Sequence, residues 1–310
     1  MVDIVGKRNW FFGFSGILIL LGIAAMVYSA IQFGSPLQIG VDFTGGSRFV
    51  IHFTETVAQD ALRQVFTDQG LDPTIQQLGD TSENMWQIRT SFIDADQVNT
   101  LLDDMEARVA PIDRNSTRYD TVDPSIGSEV TRAAATAVLV ASIIVLLFIW
   151  FSFRRVPHAF RYGVCAITGM LHNLLIATGF FAIMGILRGW EVDALFLTAI
   201  LTVVGFSVQD TIVVFDRIRE NSRRRRDAFD ILVNRSILEV IQRSLTTQLN
   251  AMFVMTAILL FGGASLEKFV ATWLVGMVSG TYSSICIAVP LLVVWENAAN
   301  RRTAGAQATA

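Results

Sequence analysis

Six apolar runs constrain this chain more than any other feature: Phe11–Phe33, Ala133–Phe151, Gly163–Leu187, Val192–Phe215, Leu245–Phe261 and Phe269–Trp295. About 20 consecutive apolar residues suffice for a helix to cross the hydrocarbon of a bilayer. Leu245–Phe261 sits at the short end of that range. Composition agrees, since 52% of the 310 residues are hydrophobic and mean hydropathy is +0.50. Only 16% are charged, against about 25% in a soluble domain. The fold class expected is a polytopic α-helical membrane protein with six transmembrane helices, not a soluble enzyme. The first run is too long for a signal-peptide core and lacks a small-x-small cleavage site, so it is expected to be retained.

Six spans place both termini on one side, and the basic residues say which. Lys7 and Arg8 precede the first run. Arg154, Arg155 and Arg161 follow the second. Arg217, Arg219, Arg223 to Arg226, Arg235 and Arg243 gather between the fourth and fifth, and Arg301 and Arg302 follow the last. The opposite short loops carry Arg188 and Lys268. The positive-inside rule then puts both termini in the cytoplasm of a cytoplasmic-membrane protein. The domains expected are 1–33 (N-terminus and first span), 34–132 (exported domain), 133–298 (spans two to six) and 299–310 (cytoplasmic tail).

Residues 34–132 differ in kind. Ser47–Phe53 alternates and is rich in Val, Ile and Phe, the pattern of a strand. Thr56–Gln69 has helical spacing, with Thr56 as N-cap and Gly70 as stop. Thr74–Leu78 and Met85–Ile88 read as strands flanking a turn at 79–84. Ile93–Val109 reads as a helix, and Thr117–Val122 as a last strand. The order β-α-β-β-α-β is that of a small α+β ferredoxin-like domain.

Asp210 carries the chemistry. It is an ionisable group deep in an apolar run, which is costly and by default functional. The bland alternative is a carboxylate held by local hydroxyls and serving packing alone. Desolvation favours the protonated form of such a group and a nearby cation the charged form, which suits proton exchange. Arg243, just before Leu245, is the expected partner, although it could be an ordinary interfacial arginine. Ser207, Gln209, Thr211, Thr247, Gln248 and Asn250 could line the same seam. His172 and Asn173 are either a polar packing pair or part of an ion path. Arg223 to Arg226 suits anionic lipid better than nucleic acid, since no aromatic interleaving accompanies it. Cys165 and Cys286 read as small buried hydrophobes, and His52, His158 and His172 are too scattered for a ligand cluster. No metal, cofactor or catalytic residue is expected.

Three motifs carry a family resemblance, and a fourth departs from it by one carboxylate. Gly40-Val-Asp-Phe-Thr-Gly-Gly46 contains Asp42, Gly45 and Gly46. Val122-Asp-Pro-Ser-Ile-Gly127 contains Pro124 and Gly127, with Asp123 where the family has Gly. Gly205–Asn221 has Gln209 where Asn is usual and Phe206 where Tyr is common. His172-Asn173 stands where His-Asp is frequent. Over residues 7–298 the chain resembles the SecD/SecF family of bacterial protein-export proteins, within the resistance-nodulation-division class. The resemblance implies a non-enzymatic subunit that uses the proton motive force to promote late steps of Sec-dependent translocation. The family's intramembrane Asp and Arg fall on Asp210 and Arg243. It implies a SecD partner on a separate chain, the SecYEG channel, the translocating preprotein, and YajC and YidC as further candidates. Some relatives couple to sodium. The alternatives are an ion-coupled small-solute exporter of the same class and a purely structural subunit.

Overall fold

The computed structural model describes residues 3–79, 84–154, 158–224 and 227–308, the last nine as backbone only. Residues 80–83 of the expected turn, Arg155, Arg225 and Arg226, and the side chains of Arg301 and Arg302 lie outside the described residues. The chain divides into two compact units, 25–137 with 181–194, and 1–24 with 138–180 and 195–310.

The first unit holds the α+β domain. Its strands are β1 (Gly46–His52), β2 (Thr74–Leu78), β3 (Met85–Thr90) and β4 (Arg118–Val122). Helix α3 (Gln59–Asp68) lies between β1 and β2, and α4 (Ala95–Arg108) between β3 and β4. The sheet is antiparallel throughout, in the order β2-β3-β1-β4. This is the expected β-α-β-β-α-β arrangement. Helix α3 buries Leu62, Val65 and Phe66, and α4 buries Val98, Leu101, Leu102 and Met105. These i, i+3, i+4 stripes form one core with Phe49, Ile51 and Ile88.

Two helix ends show how local sequence acts. Asp94 caps α4 in a capping box with Gln97, satisfying N–H groups that the first turn leaves open. Gly70, at φ +75°, ends α3, with its N–H on Thr67 and that of Leu71 on Phe66; a left-handed residue there costs Gly no steric clash. Thr56 does not cap α3, contrary to the sequence expectation. The helix starts after Ala58, an extended residue with no side-chain cap, because Val57 just before it is drawn into the core.

Short helix α2 (Val41–Thr44) and the start of α5 (Pro124–Phe153) form the joint of this unit. A Cβ on Gly127 would fall 2.6 Å from the Gly45 nitrogen, and one on Gly45 2.6 Å from the Pro124 Cα. The two glycine-bearing motifs therefore pack backbone against backbone. Thr131 donates to the Phe43 carbonyl at 2.9 Å. Asp123 accepts from the Ser125 N–H at 2.8 Å, capping a helix that opens on Pro124.

Among the described residues, six helical stretches are long and apolar enough to cross a membrane. They are α1 (Arg8–Phe33), α5, α6 (Ala159–Arg188), α7 (Ala194–Arg224), α8 (Phe229–Phe261) and a final rod. The rod is α9 (Ala264–Ser283), a π-helical turn (Ser284–Ala288) and α10 (Val289–Ala308). Pro290, lacking an N–H, follows the wide turn, which relaxes the clash it would make in a regular helix. The connection between α8 and α9 is only Gly262–Gly263.

The helices outrun the apolar runs. The segment expected as a basic loop between the fourth and fifth spans is largely helical: α7 reaches Arg224 and α8 starts at Phe229. Ile218 on α7 and Leu232, Val233 and Ile237 on α8 are buried in one core. Arg217 bridges Glu220 and Glu239, and Asn221 bonds Ser236 at 2.9 Å. An amphipathic stripe extends both helices where mean apolarity has already fallen.

Candidate functional site

Helix α7 presents Ser207, Asp210, Thr211 and Val214 as one buried stripe, the i, i+3, i+4, i+7 pattern of a packed face. Helix α8 presents Ser244, Gln248 and Met255 in the same way. Across these faces Gln248 Nε2 donates to Asp210 Oδ2 at 2.6 Å. Asp210 is 9% exposed and Gln248 3%. The other carboxamide atom, Gln248 Oε1, is buried without a hydrogen-bond partner among the described residues.

Beside this pair lies a network of hydroxyls and amides. Asn173 Nδ2 donates to Ser207 Oγ at 2.7 Å, and Asn173 Oδ1 accepts from Ser279 Oγ at 2.7 Å. His172 Nδ1 lies 3.0 Å from Asn173 Oδ1, and its Nε2 lies 2.9 Å from Ser15 Oγ. Thr211 Oγ1 donates to the Ser207 carbonyl at 3.0 Å and lies 3.3 Å from Ser284 Oγ. Asn173 is thus a hub joining α6, α7 and α9.

Of the residues the sequence put in this seam, Ser207, Thr211, Gln248, His172 and Asn173 are buried with Asp210. Gln209, Thr247 and Asn250 are exposed. Arg243 is also exposed and makes no ion pair with Asp210 among the described residues. The expected Asp210–Arg243 pairing is therefore not the contact this structure forms. The reason is helical phase. Ser244 and Gln248 sit one turn apart on the buried face, and Arg243 precedes that face by about 100°. Ser15, Ser279 and Ser284 escaped the sequence reading. Their signal was faint but present, because Ser279, Ser283 and Ser284 interrupt an otherwise apolar run.

The α+β unit contains a second buried carboxylate that the sequence reading passed over, Glu191, 0% exposed in the turn between α6 and α7. Arg48 and Arg89 are direct cross-strand neighbours on β1 and β3, a like-charge placement that is unfavourable by itself. Glu191 resolves it. Its carboxylate lies 3.6 Å from Arg48 and 3.4 Å from Arg89, and it accepts from Gln87 Nε2 at 2.7 Å. Burial opposes the charge on Arg48, but Glu191 and the salt-bridged Asp120 outweigh it and raise its pKa. The backbone reinforces the clasp: Gly40 N–H donates to Val192 at 2.8 Å and Val192 N–H to Gln38 at 2.7 Å. Asp42, from the first glycine motif, accepts from the Ala194 N–H at 3.4 Å, at the start of α7.

Comparison with known proteins fits this architecture. The family model "Protein export membrane protein SecD/SecF, C-terminal" matches residues 102–298. A protein translocase subunit SecF of Anaerolinea thermophila is 44% identical, over 96% of this chain and 95% of its own length. A SecF subunit of Thermobaculum terrenum is 38% identical, over 96% and 95%. The crystal structure of SecDF, a translocon-associated membrane protein from Thermus thermophilus, superposes with a TM-score of 0.74 at 28% identity, covering 96% of this chain and 39% of that one. The chain thus spans about two fifths of the length of that SecDF chain. This multi-pass membrane chain belongs to the SecD/SecF family of protein-export membrane proteins.

Proposed function

We propose that this chain is an ion-coupled accessory subunit of Sec-dependent protein translocation, with Asp210 as the proton-binding carboxylate. The observation that carries the reading is a buried carboxylate at membrane depth whose partner is a neutral carboxamide. No cation need be stranded when it takes up a proton. One charge moving across a membrane potential exchanges about 2.3 kcal/mol per 100 mV, enough to bias a helix arrangement of similar gap.

The positive-inside rule supports cytoplasmic termini and an exported α+β domain. The SecDF chains of Bacillus subtilis and Thermus thermophilus, of which this chain matches 38% and 39%, support a SecD subunit as the missing half. Exposed polar residues at the start of the fifth apolar run, Arg243, Thr247 and Asn250 on α8, give such a partner a surface to meet. Pairing of Asp210 with Arg243 is then a second arrangement, reached when α8 turns against α7 on docking or during the cycle. The glycine-motif joint and the Glu191 clasp would pass movement to the α+β domain, which grips or releases the emerging preprotein. SecYEG supplies the channel, YajC and YidC are further candidate partners, and the arginine-rich end of α7 suits anionic lipid.

Preprotein translocation into inverted membrane vesicles tests this. With Asp210→Asn, stimulation by a proton gradient is expected to disappear while gradient-independent translocation persists. Full gradient dependence in that variant contradicts the reading.

A further inference from the structure

We infer that Gln248 is the positioning residue for proton exchange at Asp210, reversing its carboxamide so that the carboxyl group keeps a hydrogen bond in both protonation states. This rests on the reading of Asp210 as the ion-binding group.

The argument starts from an imbalance. Gln248 Nε2 serves Asp210 Oδ2 at 2.6 Å, while Gln248 Oε1 is buried and unpaired. Buried acceptors are nearly always satisfied, and each exception asks for an explanation. A carboxamide carries donors on one side and an acceptor on the other. A half-turn about its last, broadly two-fold torsion exchanges them within almost the same volume. With Asp210 ionised, the N–H donates to the carboxylate, as observed. When a proton binds Oδ2, the new O–H is a donor facing a donor. The half-turn brings Oε1 round to accept from it and puts Nε2 where Oε1 had been. The only covalent change is the O–H bond made or broken at Asp210.

Among the described residues Gln248 is the side chain hydrogen-bonded to Asp210. An arginine donates only and keeps its charge, and Arg243 is exposed. The stretches 9–33, 133–153, 162–187, 194–209, 244–266 and 269–295 contain no Asp, Glu, Lys or Arg. Their titratable groups are His172, Tyr28, Tyr162, Tyr282, Cys165 and Cys286. His172 is engaged by Ser15 and Asn173, and Tyr282 donates to the Phe11 carbonyl.

Infrared difference spectra between two pH values, on the complex with its partner subunit, test the inference. In the wild type, proton uptake is expected to produce an aspartic carboxyl C=O band together with a glutamine amide band. Glutamine labelled with ¹³C at the side-chain carbonyl should shift the amide band alone. Gln248→Met, similar in length and helix-compatible, is expected to remove the amide band and move the carboxyl band to higher frequency. The labelled wild type needs no variant to fold. A carboxyl band with no label-sensitive partner, or a carboxyl band unmoved in Gln248→Met, overturns the proposal. The vesicle assay with Asp210→Asn judges the export reading separately, so failure of one is distinguishable from failure of the other.

Discussion

Asp210 and Glu191 are both buried carboxylates, and they are built in opposite ways. Glu191 sits among two guanidinium groups and a carboxamide, on a sheet face where those arginines would otherwise repel. Its charge is structural, since neutralising it would leave cations facing each other in a buried site. Asp210 faces one neutral carboxamide, and neutralising it strands no cation. The lesson is that burial alone does not mark a proton-exchanging group. What matters is whether the neighbours depend on its charge.

Paired truncations break or keep this contrast. Glu191→Ala leaves Arg89 without its carboxylate and Arg48 with Asp120 alone, and removing one member of a buried ionic cluster costs about 3–5 kcal/mol. The expected result is a large loss in the thermal stability of the α+β unit, read by protease susceptibility of the purified complex. Asp210→Ala removes one hydrogen bond and one buried charge. The expected change is on the order of 1 kcal/mol, with a large functional loss. Equal stability losses in the two variants would erase the distinction.

A smaller effect supplies the baseline. Asp123 is a surface carboxylate that caps α5. Its pKa is lowered first by the Ser125 hydroxyl and then by the Ser125 N–H. A folded-state pKa below the unfolded one contributes stability above the unfolded value of about 4, lost as pH falls through the folded value. Asp123→Ala should therefore cost little stability near neutral pH, and that difference should shrink on acidification below about pH 4. A difference that grows in acid would reverse the assigned sign.

Much of this molecule was legible in its sequence, for identifiable reasons. Charge-free runs revealed six spans because the bilayer excludes charge. Period-two and period-3.6 patterns revealed the sheet and its helices because one face of each is buried. The ends of α7 and α8 were missed because packing through Ile218, Leu232, Val233 and Ile237 extends helices past the apolar run. Asp210 stood out, but its partner did not. Arg243 was the obvious cation, whereas helical phase hands the contact to Gln248. Glu191 was overlooked because a single acid in a short turn looks solvated. Its burial depends on Arg48 and Arg89, more than 100 residues earlier.

Of these two carboxylates, Asp210 alone is proposed to exchange a proton. The most direct measurement is the carboxyl C=O band in the pH-difference infrared spectrum of the complex. The band should vanish in Asp210→Asn and persist in Glu191→Gln. A band that survives Asp210→Asn and disappears in Glu191→Gln would contradict the account.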